Sequence, residues 1–60
     1  LLQALSRLPG AQREALTLYY FDELKIREIA RITGTNTATV KSRLHQGKQK
    51  LKKILEEESQ

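Results

Sequence analysis

Residues 26–46, IREIARITGTNTATVKSRLHQ, predict two helices that meet at a tight turn. Apolar residues recur at helical spacing on both sides of Gly34. Gly34 stands where a helix ends in the left-handed conformation, which glycine adopts without a steric penalty. Asn36 can cap the next helix by accepting hydrogen bonds from the backbone N–H groups of its first turn. A connection of roughly three or four residues suits helices that cross at a steep angle, the helix-turn-helix arrangement.

Two more helices are predicted before this unit. Pro9 closes the first, whose apolar positions are Leu1, Leu2, Leu5 and Leu8. The second spans residues 11–21, and its apolar residues cover an arc of about 200° at 100° per residue. These residues are Ala15, Leu16, Leu18, Tyr19 and Tyr20. Either helices on two sides cover this wide arc, or part of it is a docking surface for a partner protein.

The last helix is predicted from Thr37 into the acidic run at residues 56–58. Its apolar stripe consists of Val40, Leu44, Leu51, Ile54 and Leu55, with Gly47 inside it. A glycine in mid-helix costs about 1 kcal/mol relative to alanine, so either another helix approaches closely at Gly47 or the residue is merely tolerated. The fold expected is all-α, a compact three- to four-helix bundle with a helix-turn-helix motif, in one domain over residues 1–60.

Length and composition exclude several classes of protein. A chain of 60 residues has room for one small core, and it has no Cys and a single His. Disulfides and thiolate zinc sites are therefore excluded, and we expect no metal, no cofactor and no catalytic residues, hence a binding protein and not an enzyme. No apolar run approaches the roughly 20 residues that span a bilayer, and no signal peptide opens the chain. A cytoplasmic protein without a membrane partner is expected.

The net charge of +4 is unevenly distributed. Acidic and basic residues balance over residues 1–30, and residues 56–58 are all glutamates. Residues 31–53 between them contain no acid and these bases: Arg31, Lys41, Arg43, Lys48, Lys50, Lys52 and Lys53. A basic block of this kind is expected of a protein that binds a polyanion, although a solvated helix face has the same composition.

The face of the last helix opposite the apolar stripe has a polar centre and cationic edges. Its centre carries small or hydrogen-bonding side chains: Ala38, Ser42, His45, Gln46 and Gln49. Cations flank them, with Lys41 and Lys48 along one edge and Arg43 and Lys50 along the other. This arrangement suits a helix in the major groove of DNA, where central side chains meet base edges and flanking cations meet phosphates.

Several of these residues resemble region four of bacterial sigma factors, especially the extracytoplasmic-function group. The resemblance covers essentially the whole chain and is carried by Leu8-Pro9, Arg13-Glu14, Glu28-Ile29-Ala30, Gly34 and the run from Thr39 to His45. It implies a compact bundle of about four helices that recognises the −35 promoter element through its last helix. The implied partners are double-stranded promoter DNA, the β-subunit flap of the RNA polymerase core and an anti-sigma factor.

The resemblance also implies roles for single residues. Groove-reading positions fall on Lys41, Ser42, His45 and Gln46, and positions that mainly contact the DNA backbone fall on Thr39, Arg43 and Lys48. With the first helical turn added, the predicted DNA-binding residues are Thr37, Ala38, Thr39, Lys41, Ser42, Arg43, His45, Gln46 and Lys48. The predicted surface for a protein partner is Leu18, Tyr19, Tyr20 and Phe21.

Two of these assignments have alternatives. Arg43 borders the core, so it either contacts DNA or pairs with Glu14 or Glu28. His45 either contacts a base or is an exposed ring without a role.

The chain departs from the family pattern at three places. Lys25 stands where Ser or Thr usually caps the third helix, so the capping box with Glu28 is expected to be lost. Thr33 and Thr35 replace aliphatic residues, which predicts a thinner core beside the turn. Gln46 stands where relatives often have Arg, and its neutral amide suits adenine or a phosphate.

The leading hypothesis for function is a promoter-recognition module of a sigma factor. An alternative is the helix-turn-helix output domain of a response regulator or a quorum-sensing activator, whose helices share the turn and the Thr-Val-Lys run. A third reading, a protein-interaction module that uses the wide apolar arc of the second helix, is compatible with the first.

Overall fold

A computed structural model describes residues 2–59, with Leu2 described by its backbone alone. Leu1, a predicted apolar position of the first helix, lies outside the described residues, as does Gln60. The helices are α1 (Leu2–Ser6), α2 (Gly10–Leu16), α3 (Ile26–Thr33) and α4 (Thr37–Glu58), and α2 continues into a π-helical segment, Thr17–Phe21. No β-strand occurs within residues 2–59, and the all-α, helix-turn-helix prediction is confirmed. The molecule measures 38 × 19 × 15 Å, and the 22-residue α4 runs its length.

The core is aliphatic and lies where the three shorter helices pack against α4. Its members are Leu5, Leu8, Ala15, Leu16, Ile29, Ala30, Val40 and Leu44. Ile29 of α3 and Val40 of α4 are fully buried, so the two helices of the helix-turn-helix unit meet at the centre. No polar or charged side chain is buried among those described, so burial of apolar surface dominates the packing. Leu55, predicted for the apolar stripe, is 36% exposed and lines an open groove instead of the core.

Gly47 lies where α2 packs against α4. A Cβ atom at this position would be 3.0 Å from Cδ1 of Leu16 and 3.4 Å from Cβ of Gln12. The first distance is shorter than van der Waals contact between carbon atoms, which is optimal at about 3.5–4.0 Å. Of the two interpretations of this glycine, close helix packing is therefore the correct one.

The turn between α3 and α4 is held by backbone and side-chain caps, as predicted. Gly34 adopts the left-handed conformation, with φ 69° and ψ 29°. The Thr35 N–H donates to the carbonyl of Ala30 at 2.9 Å, and the Gly34 N–H donates to the carbonyl of Arg31 at 3.3 Å, which together form a Schellman motif. Asn36 Oδ1 accepts from the Thr39 N–H at 2.8 Å and caps α4.

The two threonines beside the turn are half-buried and bonded to each other. The Thr33 hydroxyl donates to the Ile29 carbonyl at 2.8 Å, and the hydroxyl oxygens of Thr33 and Thr35 are 2.9 Å apart. A hydroxyl pair therefore joins the last turn of α3 to the connection after it, at the place where a thinner core is predicted.

The prediction of a single regular helix over residues 11–21 is wrong in its second half. From Thr17 the chain forms a π-helix, in which the Asp22 N–H donates to the Thr17 carbonyl at 3.2 Å. Glu23 then takes a positive φ of 57°, and the Leu24 N–H donates to the carbonyl of Leu18 at 3.0 Å. A π turn is wider than an α turn, so it changes which side chains face the bundle.

The expected loss of the capping box at α3 is also wrong for one of its two bonds. Glu28 Oε1 accepts from the backbone N–H of Lys25 at 2.9 Å. This bond needs only the main chain of the cap residue, so any non-proline residue at position 25 permits it. The reciprocal bond is absent because an ammonium group cannot accept a hydrogen bond.

Replacing Gly47 by alanine tests the close packing of α2 on α4. Overpacking a core costs about 1–3 kcal/mol, which exceeds the gain of about 1 kcal/mol from better helix propensity. We expect Gly47→Ala to lower Tm by several degrees in thermal unfolding followed by circular dichroism. Gly10→Ala is the matched control, because a Cβ there would meet only Arg13 Nη2 at 3.8 Å. A higher Tm for Gly47→Ala than for the parent chain would contradict the packing argument.

Asn36 provides a separate test of the helix-turn-helix connection. Asn36→Ala removes the acceptor for the Thr39 N–H, and loss of a cap of this kind costs about 1 kcal/mol. Asn36→Asp keeps the acceptor and should retain the stability. Urea unfolding of the three proteins measures the difference, and equal midpoints for Asn36→Ala and Asn36→Asp would show that the cap contributes nothing.

Candidate nucleic-acid interface

The first three turns of α4 carry an exposed face on the side away from the core. Val40, Leu44 and Gly47 are buried and hold the helix against the bundle. All nine predicted DNA-binding residues then lie at the surface. Thr39 and Arg43 are half-buried, and the exposed ones are Thr37, Ala38, Lys41, Ser42, His45, Gln46 and Lys48.

Arg43 is not engaged in an ion pair. Within residues 2–59 the ion pairs join Arg7 to Glu57 at 4.0 Å and to Glu58 at 3.6 Å. The alternative in which Arg43 pairs with Glu14 or Glu28 is therefore not realised. The guanidinium group at the edge of the exposed face is available to an anion.

The acidic end of α4 is kept apart from this face. Glu57 and Glu58 pair with Arg7, and the side chains are about half exposed, so the contact contributes at most about 1 kcal/mol. The main chain of Glu57 lies about 13.5 Å along the helix axis from that of Lys48, at 1.5 Å per residue. This main-chain separation exceeds one Debye length at physiological salt, about 8 Å.

Gln12 of α2 reaches the edge of the exposed face, which no pattern in the sequence predicted. Its Nε2 lies 3.4 Å from Oε1 of Gln46, a long hydrogen bond between the two side-chain amides. Its own Oε1 is buried without a hydrogen-bond donor in reach. The only signal in the sequence was Gly47, which indicates that a helix comes close at this point without saying which residue it carries.

Lys48 connects the exposed face of α4 with the aromatic residues of the π-helical segment. Its Nζ lies 5.4 Å from the centroid of the Tyr20 ring, within the range of a cation–π interaction. The Tyr20 hydroxyl beside the ammonium group raises the pKa of Lys48 above its ordinary value. Tyr19 packs edge-to-face on Tyr20 with ring centroids 4.9 Å apart.

The predicted protein-partner residues fall into two groups. Leu18 and Tyr19 are half-buried and pack against the core, so neighbouring helices cover this part of the wide apolar arc. Tyr20 and Phe21 are 49% and 55% exposed. They line an open groove of about 560 Å³, whose other apolar walls are Leu5, Leu16, Leu51 and Leu55. Lys48, Lys52 and Glu56 also line the groove, which places two cations and one carboxylate beside its apolar walls.

Two further features bear on the kind of site. In residues 2–59 no three His, Asp or Glu side chains are grouped so that they could hold a metal ion. The same part of the chain has no helix with the length and apolar character needed to cross a bilayer.

His45 is exposed near Tyr20, Ile26 and Lys41.

Comparisons with known proteins identify relatives of the chain. RNA polymerase sigma factor SigV of Bacillus subtilis is 49% identical over 43 residues, which cover 72% of this chain and 26% of SigV. ECF RNA polymerase sigma factor SigW of the same organism is 40% identical over 53 residues, 88% of this chain and 28% of SigW. ECF RNA polymerase sigma factor SigM of the same organism is 44% identical over 50 residues, which cover 83% of this chain and 31% of SigM. No solved structure matches the chain.

The chain therefore spans about a quarter to a third of the length of these curated relatives. Residues 1–51 match the family described as Sigma-70, region 4, which confirms the predicted resemblance. The match does not favour the alternative of a response-regulator or quorum-sensing output domain. The chain belongs to the sigma-70 region 4 family.

Proposed function

We propose that this domain recognises the −35 element of promoter DNA as part of a sigma factor that directs RNA polymerase in transcription initiation. The observation that carries the proposal is the exposed, acid-free face on residues 37–48 of α4, opposite the buried stripe that packs on the bundle. A helix with one buried and one cationic face can enter a major groove while its scaffold stays outside. Membership of the sigma-70 region 4 family supports the same assignment.

The roles proposed for the side chains follow from their place on this face. Ser42, His45 and Gln46 at the centre contact base edges, where hydroxyl, imidazole and amide groups form hydrogen bonds. Lys41 reads the groove as well. Arg43 and Lys48 at the edges neutralise phosphates and so position the helix without reading sequence. The domain acts by binding and carries out no catalysis.

The apolar groove beside Tyr20 and Phe21 is proposed to receive the β-subunit flap of the RNA polymerase core in the cytoplasm. An exposed apolar groove with cations on its rim suits a protein partner that offers apolar side chains next to acidic ones. An anti-sigma factor that used the same groove would exclude the polymerase.

The electrostatic part of the proposal predicts a steep salt dependence. If about four cations reach phosphates, the slope of log affinity against log salt is near roughly −3.6, and Arg43→Ala should reduce it by about 0.9 while weakening promoter and random DNA alike. Fluorescence anisotropy between low and moderate salt measures both. Arg7→Ala removes the same charge at the opposite end of α4 and should leave the slope unchanged. Affinity that does not respond to salt would refute the proposal.

A second experiment addresses the groove. Phe21→Ser removes an exposed ring from the groove and should weaken association with the polymerase core at least several-fold while leaving promoter DNA binding intact. Ile32→Ser is the matched control, because Ile32 is 62% exposed and lies on α3 outside the groove. Equal loss of polymerase binding in the two variants would count against the groove as the docking site.

A further inference from the structure

Gln12 is held in place by the same packing that brings α2 onto α4. A Cβ on residue 47 would lie 3.4 Å from the Cβ of Gln12, so the missing side chain of Gly47 leaves room for the stem of Gln12. The amide end then reaches Gln46, with Nε2 of Gln12 3.4 Å from Oε1 of Gln46. Gln12 is half-buried and Gln46 is exposed, so the anchored amide is that of Gln12.

Burial determines which way the Gln12 amide faces. Its Oε1 is buried without a donor, while its Nε2 faces Gln46. In the reverse orientation the NH₂ group, with two donors, would occupy the buried position. Unpaired buried donors are rarer in proteins than under-satisfied carbonyl oxygens. The observed orientation therefore leaves the less costly group unpaired.

The orientation of Gln12 fixes that of Gln46. Because Gln12 donates, Gln46 must offer its Oε1 to Gln12, and its NH₂ group is left free on the exposed face. Guanine presents two acceptors in the major groove, N7 and O6, and thymine presents one, O4. Adenine presents an acceptor and a donor, and cytosine presents a donor. A free NH₂ group matches guanine best. A glutamine that is free to turn can offer either end of its amide, so it distinguishes guanine from adenine much less.

We propose that Gln12 is a positioning residue that sets the base preference of Gln46, so that the domain favours guanine over adenine at one position of its DNA element. This inference rests on the proposed function, because it requires α4 to read the major groove.

The decisive variant is Gln12→Glu. A carboxylate can only accept, so Gln46 must turn its NH₂ group to the carboxylate introduced at position 12 and expose its own Oε1. The complete protein, assembled with the RNA polymerase core, is presented with promoters randomised over the −35 element, and bound sequences are counted. The parent protein should favour guanine over adenine by about ten-fold at the position read by Gln46. Gln12→Glu should reverse that preference, and other positions should keep theirs.

Three further variants separate orientation from charge and packing. Gln12→Leu keeps the stem that packs on Gly47 and removes the amide, so it should bring guanine and adenine within about two-fold of each other. Ala11→Glu adds the same charge at the neighbouring exposed position of α2 and should weaken all sequences without changing any preference. Gln46→Ala identifies the position that Gln46 reads. Should Gln12→Glu fail to fold, Gln12→Leu still decides the question.

The outcomes distinguish failure of the positioning role of Gln12 from failure of the proposed function. If the parent protein selects no sequence, the proposed function fails. If it selects an element but Gln46→Ala relaxes no position, or both Gln12 variants keep the parent preference, the inference is overturned and the proposed function stands. Reversal by Gln12→Glu together with relaxation by Gln12→Leu supports the positioning role.

Discussion

The contact between α2 and α4 at Gly47 is the constraint on which the rest of the domain depends. A chain of 60 residues has few apolar side chains for a core, and here the backbone of α4 itself serves as part of the packing surface for Leu16. That approach sets the angle at which α4 leaves the bundle and therefore the direction of its exposed face. It also brings the polar side chain of Gln12 to the edge of that face. The absence of a side chain at Gly47 thus allows the packing of Leu16 and also the placement of Gln12 at the exposed face.

The connection between α3 and α4 is fixed by interactions between residues that are close in the chain. The left-handed Gly34, the Schellman hydrogen bonds and the Asn36 cap are all local interactions that need no core volume. Small domains bury a limited fraction of their surface, so a turn that is fixed by its own hydrogen bonds leaves the apolar residues for the helix contacts. The paired hydroxyls of Thr33 and Thr35 act in the same way, with polar side chains satisfied locally where apolar ones were expected.

The sequence was informative wherever a local rule applies and silent where the outcome depends on a neighbour in space. The helix caps, the buried stripe of α4 and the exposed face opposite it follow from periodicity and from the conformational preferences of single residues, and the structure agrees. The amide contact of Gln12 and the stacking of Lys48 on Tyr20 join residues far apart in the chain, so no spacing rule could find them. The capping bond of Glu28 was missed for another reason, because it uses the main chain of Lys25 and the prediction considered only the side chain.

The π-helical segment makes the apolar groove sensitive to the hydrogen-bond pattern of the backbone as well as to composition. A π turn holds more residues than an α turn, so its width sets which side chains face the groove. If residues 17–21 formed an α-helix of the same length, the side chains at the end of the segment would be rotated about the helix axis from their present positions. Tyr20 and Phe21 would then leave the groove, although every apolar residue of its walls remained. The binding surface therefore depends on the backbone conformation of this segment even where the aromatic residues are retained.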